Sequence, residues 1–250
     1  MPTTTALPSR RRSRSTSDSP TANPVTQRLA ILLIIVLSLP LLFMGSRLLL
    51  AGIASYQADA FLSDWESKGE EPSEHAWQIA HEAAQRAIDL YPVANGAYQH
   101  RLGLIQQWQQ FRQPFGASEA EASRRAALEA FRAATQARPT WPDHWAALAY
   151  AKLYLLEFDA EFHSALAQAR ELGPWRIGIN RRVAEIGFIA WPQLDATERE
   201  SILESARRTV AYSPQEAKNL LAIAERTGMT DELCDSLSHQ LKTTRKLCPL

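Results

Sequence analysis

The run LAILLIIVLSLPLLFMG at residues 29–45, continued as SRLLLAGIAS to residue 55, constrains this chain more than any other feature. Crossing about 30 Å of hydrocarbon takes roughly 20 apolar residues in a helix. Residues 29–54 supply them with Arg47 as the one charged group. The segment predicts a single transmembrane helix over 29–55. Arg47 is expected near its outer boundary, reaching toward the headgroups, and Pro40 is free to kink it. A cleaved signal peptide is the rival reading. An Ala-x-Ala does occur at Ala58–Ala60, but far downstream of an apolar stretch already too long for a signal, and no cysteine near the end of the run offers a lipidation site.

Charge gives the span a direction. The chain balances 27 basic against 27 acidic residues, but residues 1–56 hold six arginines (Arg10, Arg11, Arg12, Arg14, Arg28, Arg47) and one acid, Asp18. The remainder carries 21 basic and 26 acidic residues. By the positive-inside rule, residues 1–28 form a basic cytoplasmic tail and the residues after the span lie across the membrane. The first 27 residues are rich in Ser, Thr, Pro and Arg and too poor in apolar groups to offset the entropy of ordering, so they are expected to be disordered. A basic arm can bind nucleic acid, but its place directly before the apolar run favours a role in orientation. The net-acidic remainder gives no electrostatic footprint for nucleic acid.

After a juxtamembrane linker at 56–73, residues 74–250 read as all-helical. Apolar residues recur at three- and four-residue spacing, with no sustained alternation. Prolines expose a period. Ala127, Phe131, Ala134 and Pro139 are spaced by four, three and five residues, and the same offsets give Ala80, Ala84, Ala87 and Pro92. They recur in Phe162, Leu166, Ala169 and Pro174, and in Ile202, Ala206, Thr209 and Pro214. Proline ends each helix, while Leu102–Gly103, Trp145 with Leu148 and Ala149, and Ile186–Gly187 place bulky beside small residues on the partner helices, as close packing requires. These elements resemble the tetratricopeptide repeat, a helix–turn–helix of about 34 residues, best over 126–174. A last pair, SPQEAKNLLAIAERTG and TDELCDSLSHQL, is expected to end its first helix at Gly228 and cap its second with Thr230 or Asp231. The expected fold is therefore all-α, a transmembrane helix followed by a solenoid of helical hairpins that is stable only as a stack.

Catalytic and metal-binding patterns are not evident, and no cofactor is expected. No HExxH, GxSxG, phosphate loop or paired-cysteine spacing occurs. Glu74, His75, His81 and Glu82 are the densest potential ligands. His75 and His81 are six residues apart, however, roughly 120° around a helix, and do not share a face. Glu119 with Glu121 and Asp159 with Glu161 read as solubilising surface acids, and His144 as part of a helix start. Cys234 and Cys248 are the only cysteines. They are either a disulfide holding the C-terminal tail, suited to an oxidising compartment, or two unrelated thiols.

A solenoid offers a groove instead. The first helix of each pair lines the concave face in tetratricopeptide stacks, which projects His100, Gln107, Trp108, Tyr150, Tyr154, Arg181 and Phe188 toward a partner. Aromatics with an arginine there can hold an amphipathic helix or stack on sugar rings. The same aromatics can equally fill the gaps between repeats.

Five features together carry a wider resemblance: the basic tail with its single span, HAWQIAHEAAQRAIDLYP, RPTWPDHWAALAYAKLYL, GPWRIGINRRVAEIGFIAW, and the C-terminal region reaching Cys248. Over about residues 28–250 the chain resembles the VpsP family of exopolysaccharide biosynthesis proteins. The resemblance implies an accessory component in a bacterial inner membrane, with a periplasmic domain and no catalytic residue to transfer. The expected function is a non-enzymatic adaptor that docks a polysaccharide polymerase, chain-length regulator or export protein. The alternatives are a general scaffold for envelope assembly and a protein that binds or acts on the glycan itself.

Overall fold

The computed structural model describes residues 23–248, and among these every regular element is a helix. Most of the expected basic tail lies outside the described residues, as do the last two residues. The chain divides into two compact units, Met1–Gly45 and Ser46–Leu250. The described part of the first is the beginning of α1 (Pro24–Lys68), which is long and apolar enough to cross a membrane and whose apolar window buries no residue in protein. Pro40 lies inside α1 without ending it.

The second unit begins earlier than the linker and domain boundaries expected from sequence. Residues 56–68 are the last turns of α1, and Ala58, Leu62 and Trp65 bury themselves against Ala80, Ala83 and Ala84 of α2 (Glu74–Leu90) and Ile105 of α3 (Gly96–Trp108). Nor is Arg47 turned out toward solvent. Its Nε donates to the Leu90 carbonyl at 3.1 Å and its Nη2 to that of Asp89 at 2.9 Å. A helix end leaves four carbonyls without intrahelical donors, and the guanidinium satisfies two at the terminus of α2 where a cation is favoured. A lone arginine in an apolar run reads as a boundary marker because its partners are 42 and 43 residues away.

The rest of the unit is built from α4 (Glu121–Ala137), α5 (Pro142–Tyr154), α6 (Ala160–Leu172), α7 (Ile177–Ile189), α8 (Ala196–Tyr212) and α9 (Pro214–Thr227), followed by the short α10 (Thr230–Ser236) and α11 (His239–Arg245). Helix α3 packs along α4, α5 along α6 and α7 along α8, and α3, α5, α7 and α9 also touch in succession. All twelve residues of the four-three spacing are buried. The bare backbone of the partner helices explains how. A Cβ on Gly103 would lie 2.5 Å from the Phe131 ring, and one on Gly187 would lie 2.5 Å from Ile202. Phe131 and Ile202 thus enter holes that glycine leaves open in two hairpins, Phe131 from the second position of the four-three spacing and Ile202 from the first.

Starts and stops follow the sequence in most places. Asn95, Asp159 and Ser213 accept from first-turn amides, and Asp195 forms a capping box with Glu198. Gly228 ends α9 in the left-handed conformation at φ 71°. Pro214 follows the end of α8 and opens α9, the first helix of the expected last pair. The last expected helix is split, because α10 ends at Ser236 and Ser238 caps a separate α11. Neither Thr230 nor Asp231 caps α10, whose N-cap is Met229. Cys234 and Cys248 form a disulfide with Cα atoms 5.7 Å apart, tying the end of the described chain to α10.

One polar cluster was concealed in the sequence. Lys152 has only 1% of its side chain exposed, with Nζ 2.8 Å from Asp159, 2.9 Å from Glu161 and 3.3 Å from Glu157. Arg132 joins Glu161 at 2.6 Å, and its hydrogen bond, with that of Lys152, holds the Glu161 carboxyl down at about 2 against the opposing effect of burial. Asp159 and Glu161 are therefore structural anchors between α4, α5 and α6 rather than solubilising acids. Lys152→Ala should lower unfolding stability by roughly 2 kcal/mol in chemical denaturation, the loss of a buried partner being softened by the water its carboxylates retain. Gly103→Ala and Gly187→Ala should each cost about 1–3 kcal/mol by overpacking, read as a lower denaturation midpoint with helical content unchanged.

Candidate functional site

The face formed by α3, α5 and α7 holds a recess of about 540 Å³ lined by Leu104 and Gln107 of α3, Ala147, Tyr150 and Tyr154 of α5, and Arg182 and Glu185 of α7. Tyr150 and Tyr154 are one helical turn apart with ring centroids at 5.0 Å, edge to face. The Tyr150 hydroxyl donates to Glu185 at 3.4 Å. Burial, reinforced by Glu185, pushes the Tyr150 phenol well above its ordinary range, and burial raises Tyr154 as well. Both remain neutral hydrogen-bonding groups at physiological pH. Arg124 lies 5.0 Å from the Tyr154 ring centroid and donates to the backbone carbonyls of Gln113, Pro114 and Tyr154, fixing the loop beside the recess. The buried Gln107 Nε2 has no hydrogen-bond partner among the described protein atoms. An unsatisfied buried amide is costly, so this donor is available to a bound group.

The structure brings together Gln107, Tyr150 and Tyr154 and separates the other residues expected in the groove. Phe188 is 2% exposed and belongs to the core, and it borders a neighbouring depression that shares Tyr150 and Glu185 with this recess. Trp108 packs on Trp65 and Phe111, at 6.1 and 4.5 Å between ring centroids, and closes the cluster around α1. Arg181 is engaged with Glu216 at 2.9 and 3.0 Å, joining α7 to α9. These corrections share one cause, which is that helical position fixes a residue's angle but not which neighbour fills the space beside it. Arg182 and Glu185 were missed. Their three-residue spacing in INRRVAEIG put them on one face of α7, but nothing in sequence singled out that face.

His100 lies in a second recess, with Asp59, Arg101, Trp141, Asp143, His144 and Arg176. Its ring is 5.0 Å from that of His144. Burial, then the charges of His144, Arg182 and Arg101, lowers His100 to about 3. Burial lowers His144 to about 4, with Asp143 opposing and Arg138 assisting. Neither ring nitrogen of His144, nor Nδ1 of His100, has a hydrogen-bond partner among the described atoms. His144 stands in the first turn of α5, as its place after Pro142 and Asp143 led one to expect, but it is 2% exposed and caps nothing. Among the described residues no group of three or more His, Cys, Asp and Glu is arranged to hold a metal ion. Two neutral imidazoles beside Arg101 and Arg176 can accept or donate hydrogen bonds without adding charge.

Compared with family models and with curated proteins, the chain matches none.

The imidazoles make stability depend on pH in a definite sense. Their folded pKa values lie below the ordinary 6.5, so between about pH 6.5 and 4 the unfolded chain binds more protons and acid favours unfolding. Each histidine should cost roughly 2 kcal/mol at pH 5 relative to pH 8. Denaturation midpoints of the His100→Asn, His144→Asn double variant should lose most of this acid dependence.

Proposed function

We propose that this chain is a membrane-anchored, non-catalytic adaptor in bacterial exopolysaccharide biosynthesis or export. In this reading α1 is a retained inner-membrane anchor with the arginine-rich end cytoplasmic. The hairpins of α3 to α9 are a tetratricopeptide-like stack in the periplasm. The recess on α3, α5 and α7 docks a polymerase, chain-length regulator or export protein. The observation that carries the docking role is the alignment of Gln107, Tyr150, Tyr154, Arg182 and Glu185 across three successive helices. A face of rigid aromatic rings with an unspent amide and both signs of charge suits a polypeptide with its own hydrogen-bonding groups.

Two further observations support the topology. Basic residues precede the apolar run while acids dominate after it. Cys234 and Cys248 are joined in a disulfide, the form that an oxidising compartment maintains. The link to polysaccharide rests on the resemblance of the tail, span and helical segments to the VpsP family.

A photo-crosslinking residue placed at Gln107 or Tyr150 in the full chain should capture a membrane or periplasmic component of polysaccharide assembly. Deleting the gene should abolish or alter polymer output while precursor sugar synthesis continues. Unchanged polymer yield and length would refute the polysaccharide role, and crosslinks to unrelated envelope machinery would indicate a general scaffold.

A further inference from the structure

The loops joining α2 to α3, α4 to α5, α6 to α7, and α8 to α9 lie along one edge of the second unit. Their contacts establish this in sequence. The position of a Cβ on Gly96 is 2.9 Å from Arg138, and that on Gly173 is 3.0 Å from Pro142. Arg176 lies over the Trp141 ring at 4.7 Å, and Arg208 donates to the Pro174 carbonyl at 2.9 Å. The same edge turns large apolar side chains outward, two from loops and one from the last residue of α8. Val93 is 66% exposed, Trp175 80% and Tyr212 66%. Single exposed apolar residues need no explanation; their recurrence along one edge does.

Guanidinium groups lie among them. Arg138 and Arg176 stand 3.9 and 4.7 Å from the Trp141 ring centroid, and Arg208 stands 4.8 Å from that of Trp175. Arg176 also pairs with Asp143 at 2.9 Å and Arg208 with Glu204 at 2.9 Å, which leaves part of each fork for another acceptor. The opposite edge also pairs arginine with aromatic rings, Arg112 with Phe111 and Arg199 with Trp191, but neither ring is among the exposed ones. Leu156 is half exposed there, but Glu157, Asp159 and Asp195 accompany it at the starts of α6 and α8. Exposed tryptophan and tyrosine beside arginine are the residues that occupy the boundary between headgroups and acyl chains.

Arg47 sets the level of this edge. It binds the carbonyls of Asp89 and Leu90, immediately before the loop that carries Val93. A span of about 20 residues that starts at Leu29 runs out near residue 48. Ala51 and Ala54, a turn further on, are already buried in protein. The exposed apolar residues Leu48, Leu49 and Leu50, at the start of the second unit, therefore adjoin this edge.

We infer that this edge rests on the membrane, with Val93, Trp175 and Tyr212 in the headgroup region of an anionic lipid surface and Arg138, Arg176 and Arg208 facing lipid phosphates. This rests on the reading of α1 as a retained anchor. The recess on α3, α5 and α7 then opens alongside the bilayer, within reach of a membrane-embedded partner.

The full chain tests this directly. Both native cysteines are in the disulfide, so a single introduced cysteine is the only free thiol. Val93→Cys, Trp175→Cys and Tyr212→Cys, each carrying an environment-sensitive fluorophore, are reconstituted in phosphatidylethanolamine–phosphatidylglycerol vesicles containing headgroup-nitroxide lipid. Gln193→Cys on the opposite edge and Leu37→Cys in the apolar run, the latter with chain-end nitroxide, serve as references. Labels at 93, 175 and 212 should be quenched and the label at 193 should not, and quenching should weaken when phosphatidylcholine replaces the anionic lipid. Quenching at 37 with none at the edge would overturn the inference and leave the anchor standing. No quenching at 37 would overturn the anchor and the inference with it. Equal edge quenching in zwitterionic vesicles would overturn the assignment of the arginines to anionic lipid.

Discussion

Phe131 and Ile202 occupy space on their partner helices that only a missing side chain provides. Because Gly103 and Gly187 present bare backbone, α3 approaches α4, and α7 approaches α8, closely enough for a large side chain to lock each pair. Ala149 holds the corresponding place on α5, which faces α6. Everything functional depends on this spacing. The recess draws its lining from α3, α5 and α7 at once, so a change in the distance between hairpins would separate Gln107 from Tyr150 or Tyr150 from Glu185. Side-chain volume at a few crossing points therefore sets the geometry of the recess.

The polar interactions serve a different purpose. Lys152 gathers three carboxylates and, through Glu161, reaches Arg132 on α4. Buried charges of this kind add modest net stability, but they penalise any register in which the lysine lacks its partners. Arg47 and Arg101 do the same for α1, binding the end of α2 and pairing with Asp59 at 2.9 Å. The consequence is that α1 beyond Ser46 belongs to the folded unit rather than being a tether.

His100 and His144 are the least expected part of the molecule. Two imidazoles kept neutral by burial, without hydrogen-bond partners, oppose stability in acid and contribute nothing obvious to packing that a carbon ring would not. Their position between α3, α5 and the arginines of the edge makes this recess distinct from the tyrosine-lined one. The two recesses share Leu104 and otherwise have separate linings.

What the sequence determined by itself was periodic. The apolar run, the four-three spacing of the buried stripe, the prolines between hairpins and the left-handed glycine at Gly228 all follow from local geometry, and each can be read without knowing what lies opposite. Partnership could not be read this way. Arg47 resembled a residue reaching for headgroups, Asp159 and Glu161 resembled solvated acids, and Trp108 resembled a groove residue. Each was reassigned by a neighbour brought from another helix. Only the tertiary structure decided which three of seven expected groove residues meet, because a helix position fixes the direction of a side chain while packing decides whether that direction leads to core, ion pair or open surface. The edge of Val93, Trp175 and Tyr212 illustrates the same division. Val93 and Trp175 sit in ordinary loops and Tyr212 at the end of α8, and only folding aligns them along one surface.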